Sequence, residues 1–175
     1  MIDDPCNYSD AVADIARRAG AAIMEIYQQD FAVRHKDDGS PLTQADMAAH
    51  KLIHDGLQSL TPDLPMLSEE SREIPWTERA QWSTYWLVDP LDGTKEFINR
   101  NGEFTVNIAL IKDQRPVFGV VYAPVRDVLY TGCEGSGAFM TQENSAATAI
   151  SVRGFDGKKP TVVASRSHRG QELED

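Results

Sequence analysis

The stretch Tyr85-Trp86-Leu87-Val88-Asp89-Pro90-Leu91-Asp92-Gly93-Thr94-Lys95-Glu96-Phe97-Ile98 changes its character part-way along. Tyr85 to Val88 are apolar and suit a strand, whereas Lys95 to Ile98 suit the start of a short helix. Pro90 has no N–H to give a sheet ladder and fixes its own φ, so the strand is predicted to stop there. Asp89 and Asp92 then share one turn, with the Leu91 carbonyl between them. These are hard oxygen ligands of the kind Mg²⁺ takes. The helix that follows would present the backbone N–H groups of Gly93 and Thr94 to an anion. Metal plus phosphate is one reading of that pattern. A solvated Asp-Pro and Asp-Gly turn is the other, and spacing alone does not separate them.

Upstream, Val12, Ile15, Ala16, Ala19, Ile23, Ile26 and Tyr27 recur at helical spacing, with Ser9 as N-cap. Phe31 to Arg34 reads weakly as a strand, and Lys36 to Pro41 as a loop. A second helix is predicted from Thr43, three before Asp46 as in a capping box, with Met47, Ala48, Leu52, Ile53, Leu57 and Leu60 as its buried stripe. Thr61-Pro62 ends it. Met66-Leu67 then leads into the acidic pair Glu69-Glu70.

Downstream the period becomes two. Phe104 to Lys112, Val117 to Tyr122, Val128 to Tyr130 and Ala138 to Met140 read as an antiparallel meander. Asn101-Gly102 is most simply a hairpin turn. Gly154 to Pro160 reads as a linker, and Thr161 to Ser165 as one strand beyond it.

Composition narrows the chemistry. The 175 residues are 41% apolar and 25% charged, ordinary for a soluble globular chain. A formal net charge of −10 leaves no electrostatic footprint for nucleic acid, and any phosphate site must recruit cations. Cys6 and Cys133 are too few and too far apart for a disulfide framework, which favours a reducing compartment; Cys133 is read as packing in a glycine-rich turn. There is no transmembrane-length apolar run and no signal-peptide pattern after Met1, so a cytoplasmic chain is expected. His50 and His54 have zinc-ligand spacing but no adjacent glutamate and no third ligand, and read as a solvated helix face. His35 and His168 fall in loops without a visible partner.

Taken singly, Glu69-Glu70 is a solvated acidic face and Asp46 a helix cap. Taken together they suit phosphate-ester hydrolysis with two divalent ions about 3.5–4 Å apart. Asp89 would bridge the ions, Glu69 and the Leu91 carbonyl would complete the first site, and Asp92 would hold the second. Gly93 and Thr94 would receive the phosphate, while Thr94 and Asp46 orient the attacking water.

These residues resemble the inositol monophosphatase superfamily of Mg²⁺-dependent, lithium-sensitive phosphatases, and most closely its 3′(2′),5′-bisphosphate nucleotidase branch. The resemblance rests on Lys36-x-Asp38-x-Ser40-Pro41-x-Thr43-x-x-Asp46, on Leu67-Ser68-Glu69-Glu70, and on Trp86 through Ile98. It continues through Asn101 to Leu110, Gly119 to Pro124 and Ser165-Arg166-Ser167-His168. Lys95-Glu96 favours the nucleotidase branch.

The resemblance implies an α+β fold, a layered sandwich in which two N-terminal helices pack on a largely antiparallel sheet. Residues 1–158 would form a metal- and phosphate-binding domain, and 159–175 would begin a second α/β domain. It implies removal of the 3′-phosphate of adenosine 3′,5′-bisphosphate by metal-activated water, giving AMP, within sulfur assimilation. Two or three Mg²⁺ ions would serve a complete enzyme. Glu69, Asp89, Leu91 and Asp92 carry over as metal ligands, and Leu91, Asp92, Gly93, Thr94 and Glu69 as substrate contacts. Glu69, Thr94 and Asp46 carry over as catalytic, with Glu70 the runner-up to Glu69. The partner would be a small nucleotide bisphosphate, with no nucleic acid and no membrane span. A peripheral position on the cytoplasmic face of the inner membrane is the alternative to free solution, and the oligomeric state stays open.

The family also carries a Trp-Asp pair whose aspartate ligates the second metal, in a domain that shapes the substrate pocket. Trp76, Trp82 and Trp86 are not followed by Asp here. The chain alone is therefore expected to be poorly active. An inositol or sugar monophosphatase, and a non-catalytic metal- or phosphate-binding fragment, are the alternatives.

Overall fold

The computed structural model describes residues 4–29, 40–71, 73–143, 145–155, 157 and 160. The readings at Phe31 to Arg34, Lys36 and Asp38, Thr161 to Ser165, Ser165 to His168, His35 and His168 lie outside them.

A 3-10 turn over Pro5–Tyr8 runs directly into α1 (Ser9–Tyr27). Ser9 is already helical and Tyr8 holds the cap position, so the predicted Ser9 cap is displaced by one residue. Helix α2 spans Pro41–Leu60 and starts earlier than predicted. Ser40 is its N-cap and accepts from the Thr43 N–H at 3.2 Å, while Pro41 takes the first turn, where a missing N–H costs nothing. Asp46 is therefore freed from capping and lies on the buried face with Ala45, Ala49, Ile53 and Leu57. Met47 points outward and does not join that stripe.

The remaining elements form a seven-stranded sheet in sequential order: β1 (Met66–Ser68), β2 (Thr84–Asp92), β3 (Thr105–Lys112), β4 (Arg115–Ala123), β5 (Val128–Cys133), β6 (Gly137–Gln142) and β7 (Thr148–Ile150). Among the described residues, β1 and β2 pair in parallel and every later pair is antiparallel. Two short helices, α3 (Trp76–Arg79) and α4 (Thr94–Ile98), flank β2. The expected α+β layering is present. Strand β7 escaped the sequence because its residues are all exposed and show no alternation.

Both helices cover one face of the sheet. The rows Trp86–Leu110–Phe118 and Val88–Ile108–Val120 point into them, and these side chains are buried. Trp86 anchors the layer: it is fully buried, and its Nε1 donates to Thr61 Oγ1 at 2.8 Å, just past the end of α2. Truncating such a side chain costs about 3–5 kcal/mol. Gly20 lets α1 approach β4 closely, since a Cβ there would sit 2.4 Å from the Tyr122 ring.

Among the described residues, the other face is open. Its rows are Leu87–Ala109–Gly119–Gly132 and Asp89–Asn107–Val121–Tyr130. Leu87, Val121 and Tyr130 remain 42%, 41% and 40% exposed.

Cys6 and Cys133 form a disulfide, with Cα atoms 5.7 Å apart. The reading that the two cysteines are too few and too far apart to suggest a disulfide framework is therefore corrected, and the cysteine count no longer argues for a reducing compartment. The meander returns the end of β5 to the 3-10 turn, which sequence distance does not reveal. Because this bond closes a loop of 127 residues, its reduction should lower the unfolding free energy by about 2–5 kcal/mol. Urea denaturation with and without dithiothreitol measures this, and Cys133→Ser should make the two curves coincide.

Candidate active site

Strand β2 does not stop at Pro90. It runs to Asp92, but its ladder to β3 shifts register between Asp89, which pairs with Asn107, and Asp92, which pairs with Thr105. In a regular strand, residues three apart face opposite sides of the sheet. Here Pro90 and Leu91 are both buried in succession, while Asp89 and Asp92 are both turned outward. A bulge at a residue with no N–H to donate satisfies the backbone and puts both acids on the open side. Gly93 then turns the chain with φ +104°, where a Cβ would come within 3.0 Å of the Glu103 carbonyl. Thr94 follows as the first residue of α4.

Glu69 reaches the same place from β1. Its N–H donates to Val88 O at 3.2 Å, extending the parallel pairing by one residue. Glu69, Asp89 and Asn107 line one end of a groove of about 520 Å³ on the open face, floored by Leu67, Leu87 and Val121. From behind the sheet, α2 contributes Asp46 at 8% exposure. Its carboxyl is raised well above the usual range by burial first, then by the charge of Glu70, a hydrogen bond to Glu70, and the charges of Asp89 and Glu69. Asp89 is pushed up to about 6 by burial, then by Asp92 and Glu69; the Leu91 N–H, turned toward it, opposes the rise. One oxygen of Asp46 and one of Asp89 are buried with no hydrogen-bond partner among the described residues.

Asp46, Glu69, Asp89, Asp92, Gly93 and Thr94 therefore converge at one end of the sheet. Two readings need correction. Asn101-Gly102 is no hairpin turn; it belongs to the connection from α4 to β3, where Asn101 Oδ1 accepts from the Glu103 N–H and Gly102 packs on Val125. His50 is not part of a solvated face: it is half-buried, with Nδ1 2.9 Å from Ser68 Oγ, while the exposed His54 contacts Asp55. Burial holds the His50 imidazole below its ordinary pKa, and His54 adds to that. Two contacts escaped the sequence reading. Glu70 sides with Asp46, one turn from His50, and Asn107 donates to Asp92 Oδ2 at 3.0 Å. A polar Asn107 between Val106 and Ile108 in an apolar strand was the available signal.

The model of the inositol monophosphatase family matches residues 7–173. The chain belongs to that family. It is 53% identical over 168 residues to the 3′(2′),5′-bisphosphate nucleotidase CysQ of Escherichia coli K12, covering 95% of this chain and 66% of that protein. The crystal structure of CysQ from Bacteroides thetaiotaomicron superposes with a TM-score of 0.78 at 41% identity, covering 94% of this chain and 65% of that one. A 2′-AMP-bound structure of an inositol monophosphatase family relative, SaIMPase-II, superposes with a TM-score of 0.60 at 28% identity, covering 74% and 46%. The chain thus spans just under two thirds of the length of CysQ.

Members of this family are metal-dependent phosphatases, and the donor set here suits a divalent ion. It is all oxygen, crowded with like charge, and contains an orphaned buried carboxylate oxygen at Asp89. Glu69, Asp89 and Asp92 do not bring three carboxylate oxygens within 4.8 Å of one another. The described group that does meet that spacing is Asp4, Cys6 and Cys133, whose sulfurs are already bonded to each other.

The raised carboxyls give a pH prediction. Asp89 keeps its proton to about pH 6 in the metal-free fold, whereas an unfolded aspartate releases it near ~3.9. The folded state binds more protons in that window, so metal-free stability should fall as pH rises through it. Thermal unfolding should show that decline. Excess Mg²⁺ should raise the transition at about pH 7.5 and have little effect at about pH 5, where protons compete for the same oxygens. Asp89→Asn should shallow the decline and remove most of the Mg²⁺ response.

Proposed function

We propose that this site hydrolyses the 3′-phosphate of adenosine 3′,5′-bisphosphate, giving AMP and phosphate, with Mg²⁺ as the cofactor. The observation that carries this reading is the 53% identity to CysQ across 95% of the chain, with Asp46, Glu69, Asp89, Asp92 and Thr94 gathered around one bulge.

Divalent ions held there would supply Lewis-acid activation of water and neutralise the phosphoryl oxygens. Glu69, Asp89 and Asp92, with the Leu91 carbonyl, would hold them. Gly93 and Thr94 present backbone N–H groups to the phosphate at the turn into α4. The Thr94 hydroxyl and the Asp46 carboxylate orient the water for in-line attack, so no phosphorylated side chain forms. Asp46 suits that part because α2 fixes it in the core while its unpaired oxygen lies among the other carboxylates. The substrate is a small nucleotide bisphosphate, which places the work in the cytoplasm. Among the described residues, no helix is long and apolar enough to cross a membrane.

A second reading, an inositol monophosphatase, has its own support. SaIMPase-II is known with inositol monophosphate as well as with 2′-AMP.

Phosphate release with Mg²⁺ from adenosine 3′,5′-bisphosphate and from inositol monophosphate tests the reading. It should be measured on the chain, with the CysQ of Escherichia coli K12 as the reference enzyme. The nucleotide should be the preferred substrate by kcat/KM, and preference for the inositol ester would select the second reading. Asp89→Asn should cost more than about 100-fold, since even an outer-shell partner of a metal ligand is worth about 10–100-fold.

A further inference from the structure

We infer that Asn107 is a positioning residue that aims Asp92 at its cation. The inference rests on the metal-dependent reading above. Asn107 lies directly opposite Asp89 in the β2–β3 ladder and opposite Val121 in the β3–β4 ladder. It is thus held from both sides on an interior strand, the kind of rigid support that keeps a site within tolerance. Residues paired across a ladder share a face, so its side chain stands on the open face beside Asp89.

Beyond Asp89 the β2 chain leaves the regular ladder and rejoins it only at Asp92, opposite Thr105, with the Asp92 side chain exposed past the bulge. The Asn107 amide spans that break: its Nδ2 donates to Asp92 Oδ2 at 3.0 Å. One carboxylate oxygen is therefore committed to a fixed donor, and the other is left to accept elsewhere. A neutral amide suits the task. A lysine or arginine at this position would neutralise Asp92 and compete with a cation; an amide fixes the rotamer and leaves the full negative charge in place.

Two variants, Asn107→Ala and Asn107→Asp, test this through Mn²⁺ titration calorimetry without substrate, so the outcome is independent of which phosphate ester is hydrolysed. A failed phosphatase reading would show as absent turnover in the wild type, whereas a failed positioning role shows in the metal affinity. Asn107→Ala should weaken Mn²⁺ binding by about tenfold, with the metal-free unfolding midpoint nearly unchanged. Asn107→Asp is close to isosteric and should weaken it at least as much, because a carboxylate facing Asp92 repels where the amide donated. Unchanged affinity in Asn107→Ala overturns the inference. So does tighter binding in Asn107→Asp, which would make residue 107 a ligand in its own right.

Discussion

The candidate site depends on one break in the alternation of β2. Side chains along a strand alternate faces, so Asp89 and Asp92 would project to opposite sides of an unbroken strand. Burying Pro90 and Leu91 in succession turns both acids outward. Proline suits the position because the ladder passes over it without a missing donor. The two leucines show the division of labour: Leu91 is fixed in the core, while Leu87 belongs to the open face. The site is therefore held by the same strand that carries Trp86 into the helices. Perturbing that anchor would move the acids with it.

The acids are arranged at an electrostatic cost. Burial and the charges of the acids around them raise the proton affinity of Asp46 and Asp89, and one oxygen of each is buried without a partner among the described residues. Crowded, unsatisfied carboxylates are unfavourable in isolation and favourable around a divalent cation. In a chain of net charge −10, such a cluster makes cation recruitment the condition for approach of an anionic ester.

Much of the fold was legible because its two periods are clean. On α2 the period picked out Ile53 and Leu57 but missed Ala45 and Ala49, because the face is set by packing on the sheet and Met47 turns outward. The apolar run through Trp86 and Val88 was read directly. The candidate site residues could be picked out as a set because a turn, an acidic pair and a helix acid recur together in a known pattern. Local rules misled where tertiary geometry took over. Pro90 signalled a stop and instead marked a bulge. Thr43 and Asp46 looked like a cap pair, but Ser40 with Pro41 caps the helix one turn earlier. Cys6 and Cys133 looked unrelated, and their contact is a product of the meander. The Asn107–Asp92 and His50–Ser68 bonds join different elements, and no spacing rule foresees them.

Anomalous scattering from a crystal of the protein equilibrated with Mn²⁺ addresses the central claim most directly, since it locates the ions without reference to substrate. The account predicts Mn²⁺ at the end of β2, with Asp89 in contact and Glu69 and Asp92 on either side. Mn²⁺ bound elsewhere, or Asp89 and Asp92 directed away from a common ion pair, would contradict it.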